Sequence, residues 1–374
     1  MSNAPFGVYL HWPYCARICP YCDFNVYKNR QIDEAAWIKA LTEDIDRWAS
    51  RTNGRTLSSL YFGGGTPSLA PLSVIEAVIN HCDHQWGFSD DAEITLEANP
   101  TDAERAKFSD LAQVGINRLS LGVQSLRDDA LKFLGRDHDA AAARRAIETA
   151  NDIFSRTTFD LIYARPNQSL AAWDEELAEA LALGASHLSL YQLTIEPGTA
   201  FSKAVAAGRW QPTTEDLCAD MFDLAQARTT EASMPAYEIS NHAQPGHVSR
   251  HNMIYWTNAD YIGIGPGAHG RITENDIRIA TETPLKPADY LVGAPTMETP
   301  LSKDEALTER FSMGLRLAEG IPLSANDPYF EKEKRIETIH QLCSDGLLSW
   351  DQNQLIATDD GRRLLNRLLY ELLG

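Results

Sequence analysis

The stretch Gly7-Val-Tyr-Leu-His11-Trp-Pro-Tyr-Cys15-Ala-Arg-Ile-Cys19-Pro-Tyr-Cys22 runs a short β-rich segment into three cysteines within eight positions. Three thiolates spaced C-x3-C-x2-C in one tight loop suit three corners of a cubane [4Fe-4S] cluster, and leave the fourth iron without a protein ligand. A structural zinc site takes four ligands, usually as paired C-x2–4-C knuckles. The other cysteines, Cys82, Cys218 and Cys343, are single and scattered. His11 would complete a Cys3His set, but the strand before the loop and a glycine run downstream favour the cluster. Cys82 extends the stripe Ile75, Val78, Ile79 and reads as a small buried hydrophobe.

Further β-rich runs follow at Ser59–Phe62, Glu93–Ala98, Arg118–Gln124, Thr158–Tyr163 and His187–Leu193, each trailed by a segment of helical periodicity. Trp37, Leu41, Ile45 and Trp48, for example, fall at i, i+4, i+8 and i+11. Such alternation predicts repeated βα units around a parallel sheet. Six units predict an α/β fold of the partial (β/α)6 barrel type, not a closed barrel of eight. Reactive groups in such folds gather at the carboxyl ends of strands. The cysteine loop follows the first run, Gly63-Gly-Gly-Thr-Pro67 the second, and Glu97, Gln124 and Gln192 end later ones. Alone, the glycine run reads equally as a tight strand-to-helix turn.

The barrel is expected to span 1–240, with a connection rich in His, Gly and aromatics over 241–300, its Pro/Thr-rich 281–300 reading as a linker. Residues 301–374 read as helix, helix, a hairpin (Leu347–Trp350, Leu355–Thr358) and a last helix striped by Leu364, Leu365, Leu368 and Leu372, a small winged-helix-like α+β module. Its nine basic against thirteen acidic residues favour a packing or lid role over DNA binding. Gly265-Pro-Gly267-Ala-His-Gly270 fits G-x-G-x-x-G, but no amphipathic helix follows, so it is not read as a dinucleotide fingerprint. With 52 acidic against 33 basic residues the chain carries a formal charge of −19, which disfavours nucleic acid as a partner. Met1-Ser2-Asn3-Ala4-Pro5 has no basic n-region, and no run approaches the ~18 apolar residues of a membrane span. The expectation is a cytoplasmic protein without a transmembrane segment, with peripheral membrane contact at most.

Taken in order, Tyr9-Leu-His-Trp-Pro-Tyr-Cys15, Cys19-Pro-Tyr-Cys22-Asp-Phe24, Gly63–Pro67, Glu97-Ala-Asn-Pro100, Gly122-Val-Gln-Ser125 and Asp160-Leu-Ile-Tyr163 resemble a radical S-adenosylmethionine (SAM) protein. More narrowly they resemble the oxygen-independent coproporphyrinogen III oxidase family, and within it the heme chaperone subfamily, over nearly the whole chain. The resemblance implies that SAM chelates the open iron and is cleaved reductively to a 5′-deoxyadenosyl radical. It implies that Tyr9 and Tyr21 flank the adenine and the cluster, and that Gly64, Gly65 and Thr66 hold the methionine end. Glu97, Gln124, Arg136 and Asp160 would then meet the charged groups and the ribose. Asp160 opens the apolar run Leu161-Ile162-Tyr163, where an unpartnered charge is costly.

Two features separate oxidase from chaperone within that family. The oxidases resemble one another in a fourth cysteine two residues after the third, where this chain has Phe24. His251-Asn-Met-Ile-Tyr255-Trp256 matches the H-N-x-x-Y-W motif of the chaperones. The resemblance therefore implies a protein that binds heme and passes it to acceptor proteins, with His251 as iron ligand and His269 as the alternative. A reductant protein or an NADH-linked donor would serve the cluster. The runner-up is an oxygen-independent coproporphyrinogen III dehydrogenase, and a radical-SAM enzyme acting on tRNA stands third. One loop departs from the family: Ala164-Arg165-Pro166-Asn167-Gln168 stands where Gly-Leu-Pro-Gly-Gln is usual, with Arg165 left to meet either a heme propionate or solvent.

Overall fold

The computed structural model describes residues 4–28, 31–331 and 334–374, so the reading of Met1–Asn3 lies outside the described residues. Six strands, β1 (Phe6–Trp12), β2 (Leu57–Gly64), β3 (Phe88–Ala98), β4 (Arg118–Gln124), β5 (Arg156–Tyr163) and β6 (His187–Gln192), pair in parallel and in sequence order. Helices cross between them, as right-handed βαβ connections require. The first helix, Glu34–Ala49, is capped by Asp33, whose carboxylate accepts from the Ala36 amide. It buries Trp37, Leu41, Ile45 and Trp48 as their spacing predicts, each contributing about 1.5–3 kcal/mol by removal from water.

Period-two alternation aims each strand. Leu119, Leu121, Val123, Phe159, Leu161, Leu188 and Leu190 belong to the large hydrophobic core. Their neighbours Ser120, Gly122, Gln124, Thr158, Asp160, Ser189 and Tyr191 turn to the concave side and line a cavity. The sheet wraps around a polar lumen without closing.

Residues 241–300, read as a connection, extend this sheet instead of hanging from it. β7 (Asn241–Ala243) pairs antiparallel with β6, while β8 (Asp260–Ile264) lies parallel to β1 on its free side. β9 (His269–Glu274), β10 (Ile277–Glu282) and β11 (Met297–Pro300) continue antiparallel, giving eleven strands in the order β11-β10-β9-β8-β1-β2-β3-β4-β5-β6-β7. The Pro/Thr-rich 281–300 is thus ordered structure, not a linker: it ends β10, forms the helix Pro287–Leu291 and closes on the edge strand Met297–Pro300, which is exposed throughout. A short, exposed, proline-ended edge strand lacks the alternation that marks a half-buried one. The G-x-G-x-x-G stretch ends in β9, not in a helix.

Residues 301–374 build a second core from Phe311, Leu315, Tyr329, Ile339, Leu342, Leu355, Leu365, Leu368 and Leu372. Helix Lys303–Gly314, strand β12 (Ile321–Pro322), helix Lys334–Ser344, β13 (Leu348–Trp350) and β14 (Gln354–Ala357) follow in that order, the three strands forming one small sheet. Leu364 falls at the break between two terminal helices and is exposed, unlike the rest of its stripe. Arg362 donates to the Glu238 carbonyl at 3.0 Å, tying the module to the barrel.

Arg165 meets neither propionate nor solvent. Its guanidinium is buried against Glu176 at 2.5 Å and also donates to the Ser125 hydroxyl and the Ile162 carbonyl. Ala164 and Asn167 hold φ of +57° and +63°, the left-handed region that the family's glycines adopt freely. The loop keeps its shape with other residues. Arg165→Ala leaves the Glu176 carboxylate buried without its cation and is expected to cost about 3–5 kcal/mol, measured by urea unfolding; a loss under about 1 kcal/mol contradicts this pairing.

Candidate functional site

The cysteine loop leaves β1 at the carboxyl edge of the sheet and is fastened from three sides. Its base closes on itself through Cys15 N to Tyr27 O (3.0 Å) and Tyr27 N to Pro13 O (2.7 Å). The glycine turn after β2 binds it from below, Gly65 N donating to Trp12 O (2.7 Å) and Thr66 N to Tyr14 O (2.9 Å). On the third side, Asn25 Nδ2 donates to the carbonyl of Pro266, in the β8–β9 turn, at 3.1 Å and to that of Leu285, after β10, at 2.8 Å. His11 sits behind the loop, with Nε2 at 2.9 Å from Asn25 O and Nδ1 at 3.1 Å from the Tyr9 hydroxyl. It does not join the thiols.

Glycine is required here for packing. A Cβ on Gly65 would stand 2.7 Å from Tyr14 O and 2.9 Å from Trp12 O, and one on Gly64, at φ +102°, would enter the His11 ring. Gly265 faces the His11 carbonyl and Gly267 the Asn25 side chain just as tightly. The glycine runs at 63–65 and 265–267 therefore share a task, seating the cysteine loop, that neither reveals in sequence.

Cys15, Cys19 and Cys22 line one end of a cavity of about 590 Å³ together with Tyr21, Gly64, Gly65, Thr66, Glu97, Gln124, Arg136 and Asp160. Among the described residues no three His, Cys, Asp or Glu side chains converge as ligands of a single ion do. Thr66 Oγ1 donates to Cys15 Sγ at 3.5 Å and Arg136 Nη1 to Cys19 Sγ at 3.3 Å. Burial raises the Cys15 thiol, and raises Cys22 to about 11, so these two are held protonated without metal and metal loading must expel their protons.

Further in, the Tyr61 hydroxyl donates to Glu97 at 2.8 Å, and burial pushes that carboxyl up to about 7. Asp160 accepts from Val123 N (2.8 Å) and Gln124 Nε2 (2.6 Å), and burial raises it as well. Arg136 Nη2 donates to Asn99 Oδ1 and Gly122 O. Glu97, Asp160 and Arg136 together sum to −1 when ionised, the complement of SAM with its carboxylate, ammonium and sulfonium. Thr95 Oγ1, Gln124 Oε1 and Arg136 Nε are buried without partners, and all three residues face the cavity. Gln124 also holds φ +64° at the end of β4; orphaned polar atoms and a left-handed non-glycine residue are the marks of a wall shaped for a ligand. These residues fit the cluster and SAM.

Tyr9 and His251 stand apart from the other expected residues, because neither lines the cavity. Tyr9 lies behind the wall, stacked on Tyr61 with ring centres 6.2 Å apart. His251 is 1% exposed and stacks on Tyr61 at 4.7 Å. Both its nitrogens are engaged, Nδ1 with Ser59 Oγ at 2.9 Å and Nε2 with the Tyr255 hydroxyl at 2.7 Å. Burial lowers its pKa to about 3, so it is neutral. The i, i+4 pairing with Tyr255 is as the motif predicts, but the ring is saturated. His269 is exposed at the start of β9.

The lining residues Tyr61, Thr95, Ser120, Thr158 and Ser189 were not singled out by motif. Their signal was the polar member of each period-two pair within an otherwise apolar strand. Gly65→Ala is expected to displace the cysteine loop: iron bound after anaerobic reconstitution falls below half of wild type, and stability drops by about 1–3 kcal/mol. Wild-type iron content in that variant contradicts the packing role.

Residues 9–180 match the family described as the radical SAM superfamily. A Danio rerio protein named radical S-adenosyl methionine domain-containing protein 1, mitochondrial, is 38% identical over 98% of this chain and 86% of its own length. The heme chaperone HemW of Escherichia coli is 37% identical over 77% of this chain and 76% of its own, and HemW of Mycobacterium tuberculosis is 33% identical over 100% and 96%. The solved structure of E. coli coproporphyrinogen III oxidase (HemN), a radical SAM enzyme, superposes with a TM-score of 0.81 at 21% identity, covering 99% of this chain and 90% of that one, which shows a common fold. The chain belongs to the radical SAM superfamily, and within it to the group that contains the heme chaperone HemW.

Proposed function

We propose that this protein is a heme chaperone that holds a [4Fe-4S] cluster on Cys15, Cys19 and Cys22, takes exchangeable SAM beside it, and passes heme to acceptor proteins. The observation that carries the reading is a cavity in which three thiols meet Glu97, Asp160 and Arg136, in a chain whose full length aligns with HemW. When bound, the cluster supplies the electron that cleaves the sulfonium. Glu97 and Asp160 are placed to hold the cationic groups, Arg136 a carboxylate, and the lumen hydroxyls the ribose.

Phe24, 60% exposed at the cavity mouth, supports chaperone over oxidase: it offers no thiolate where the oxidases carry their fourth cysteine. The reading places the protein in the cytoplasm with a reductant partner, and with acceptor proteins that must accept a loosely held macrocycle. Among the described residues no helix is long and apolar enough to cross a membrane.

Hemin titration followed by the Soret band, beside anaerobic incubation with coproporphyrinogen, SAM and reductant, tests the reading. Hemin binding without protoporphyrinogen formation is expected; turnover to protoporphyrinogen would install the dehydrogenase reading. The buried Glu97 carboxyl adds a pH test. It is protonated below its raised value of about 7 and able to hold a cation only above it, so SAM affinity is expected to rise as pH climbs from about 6 to about 8. Glu97→Gln should flatten that rise, and a rise that persists in the variant removes Glu97 from the role.

A further inference from the structure

Two of the three thiols receive a side-chain donor, and both donors lead back to one residue. Arg136 Nη1 donates to Cys19 Sγ at 3.3 Å and Thr66 Oγ1 to Cys15 Sγ at 3.5 Å. On their other sides both meet the Asn99 side chain, just beyond β3. Arg136 Nη2 donates to Asn99 Oδ1 at 2.5 Å, and Asn99 Nδ2 donates to Thr66 Oγ1 at 3.3 Å. The sense of the amide matters. A hydroxyl has one proton, so Thr66 can give it to Cys15 only while Asn99 presents a donor to the hydroxyl oxygen. Turned end for end, the amide would set its NH2 against the Arg136 guanidinium, and its oxygen would compete with the sulfur for the Thr66 proton.

Glu104 holds the amide in that sense. It is 4% exposed and lies behind the cavity wall that Asn99, Thr66 and Arg136 line. One carboxylate oxygen accepts from Asn99 Nδ2 at 3.3 Å and from Thr101 Oγ1 at 3.4 Å. The other accepts from Asn99 N at 2.7 Å and from the Ser68 hydroxyl. Burial raises this carboxyl, and the bonds from Ser68 and Asn99 oppose the rise. An ionised carboxylate only accepts, so it keeps Nδ2 on its own side and turns Oδ1 towards Arg136. Through Ser68 and Asn99 it also ties the turn after β2 to the turn after β3.

Thr101-x-x-Glu104 has the lettering of a capping box for the short helix Asp102–Arg105. Half of that box is present, since Thr101 Oγ1 accepts from Glu104 N at 3.3 Å. The carboxylate, however, takes the Asn99 amide and not that of Thr101, which a helix cap alone does not require.

Resting on the [4Fe-4S] reading of the three thiols, we propose that Glu104 is a positioning residue for the cluster: through the Asn99 amide it aims Arg136 at the Cys19 sulfur and Thr66 at the Cys15 sulfur, and so sets the reduction potential. Hydrogen bonds to ligating sulfurs stabilise the reduced, more negative cluster, and residues that orient them tune the metal from outside its ligand set. Losing those bonds makes the cluster harder to reduce.

The test is a redox titration of the anaerobically reconstituted full chain without SAM, followed by electron paramagnetic resonance. It compares wild type, Glu104→Gln, Asn99→Ala and the double variant, with iron content and a thermal melt for each. Glu104→Gln keeps the shape of the side chain and loses an acceptor. It is expected to hold iron as wild type does, and to lower the ratio of reduced to oxidised cluster at a fixed potential at least about tenfold, about 59 mV for one electron. Asn99→Ala should shift the potential in the same direction, and the double variant no further than Asn99→Ala, because one route carries both effects. A wild-type potential in Glu104→Gln, or shifts that add in the double variant, overturns the relay and leaves the cluster standing. Iron below half of wild type in Glu104→Gln makes Glu104 a support of the fold and also overturns it. Should Glu104→Gln fail to fold, Asn99→Ala decides alone, and a wild-type potential there is the contrary result. A wild type that shows no [4Fe-4S] signal overturns the cluster reading and this inference together.

Discussion

Three close approaches that leave no room for a Cβ seat the cysteine loop: Gly65 on the carbonyls of Trp12 and Tyr14, Gly265 on that of His11, and Gly267 on the Asn25 side chain. Everything at the carboxyl edge of the sheet follows from them. They fix where the thiols stand relative to β2 and β8, and so where a cluster would stand relative to Glu97, Gln124 and Asp160. The β8–β11 segment then has a purpose beyond widening the sheet, since its first turn is the third wall of the loop. Distant sequence is recruited because a loop bearing three nucleophilic sulfurs cannot be held by its own few backbone hydrogen bonds.

The lumen behind the loop is costly to maintain. Two buried carboxyls, both pushed up by burial, and three orphaned polar atoms lower the stability of the ligand-free protein, a cost that a cationic ligand relieves. The large apolar core on the helical side of the strands offsets it. A continuous run of contacts also leads from the Arg250–Trp256 helix to the lumen: Tyr255 to His251 by hydrogen bond, His251 to Tyr61 by stacking, and Tyr61 to Glu97 by hydrogen bond. The H-N-x-x-Y-W helix therefore meets the lumen twice, directly through Asn252 and at one remove through a saturated histidine.

The six parallel strands were legible because both periodicities were strong: leucines and valines at period two, tryptophans at helical spacing. The cysteine loop stood out by its spacing alone, and family resemblance named Glu97, Gln124, Arg136 and Asp160, all four of which line the cavity. What sequence did not show was depth. Nothing in the letters separates Tyr9 and His251, one layer behind the wall, from Tyr61, which is on it; that depends on curvature of the sheet. The edge strands of 281–300 were hidden by prolines and exposure, and Arg165 by a partner, Glu176, that only the fold brings near.

The central claim is that three thiolates leave one iron of a cubane open to a ligand lodged against Glu97 and Asp160. Electron paramagnetic resonance of the anaerobically reconstituted, reduced protein, recorded with and without SAM, measures this directly. The account predicts a [4Fe-4S] signal whose g-values move when SAM is added. A signal indifferent to SAM, or a reconstituted protein that holds zinc in place of iron, contradicts it.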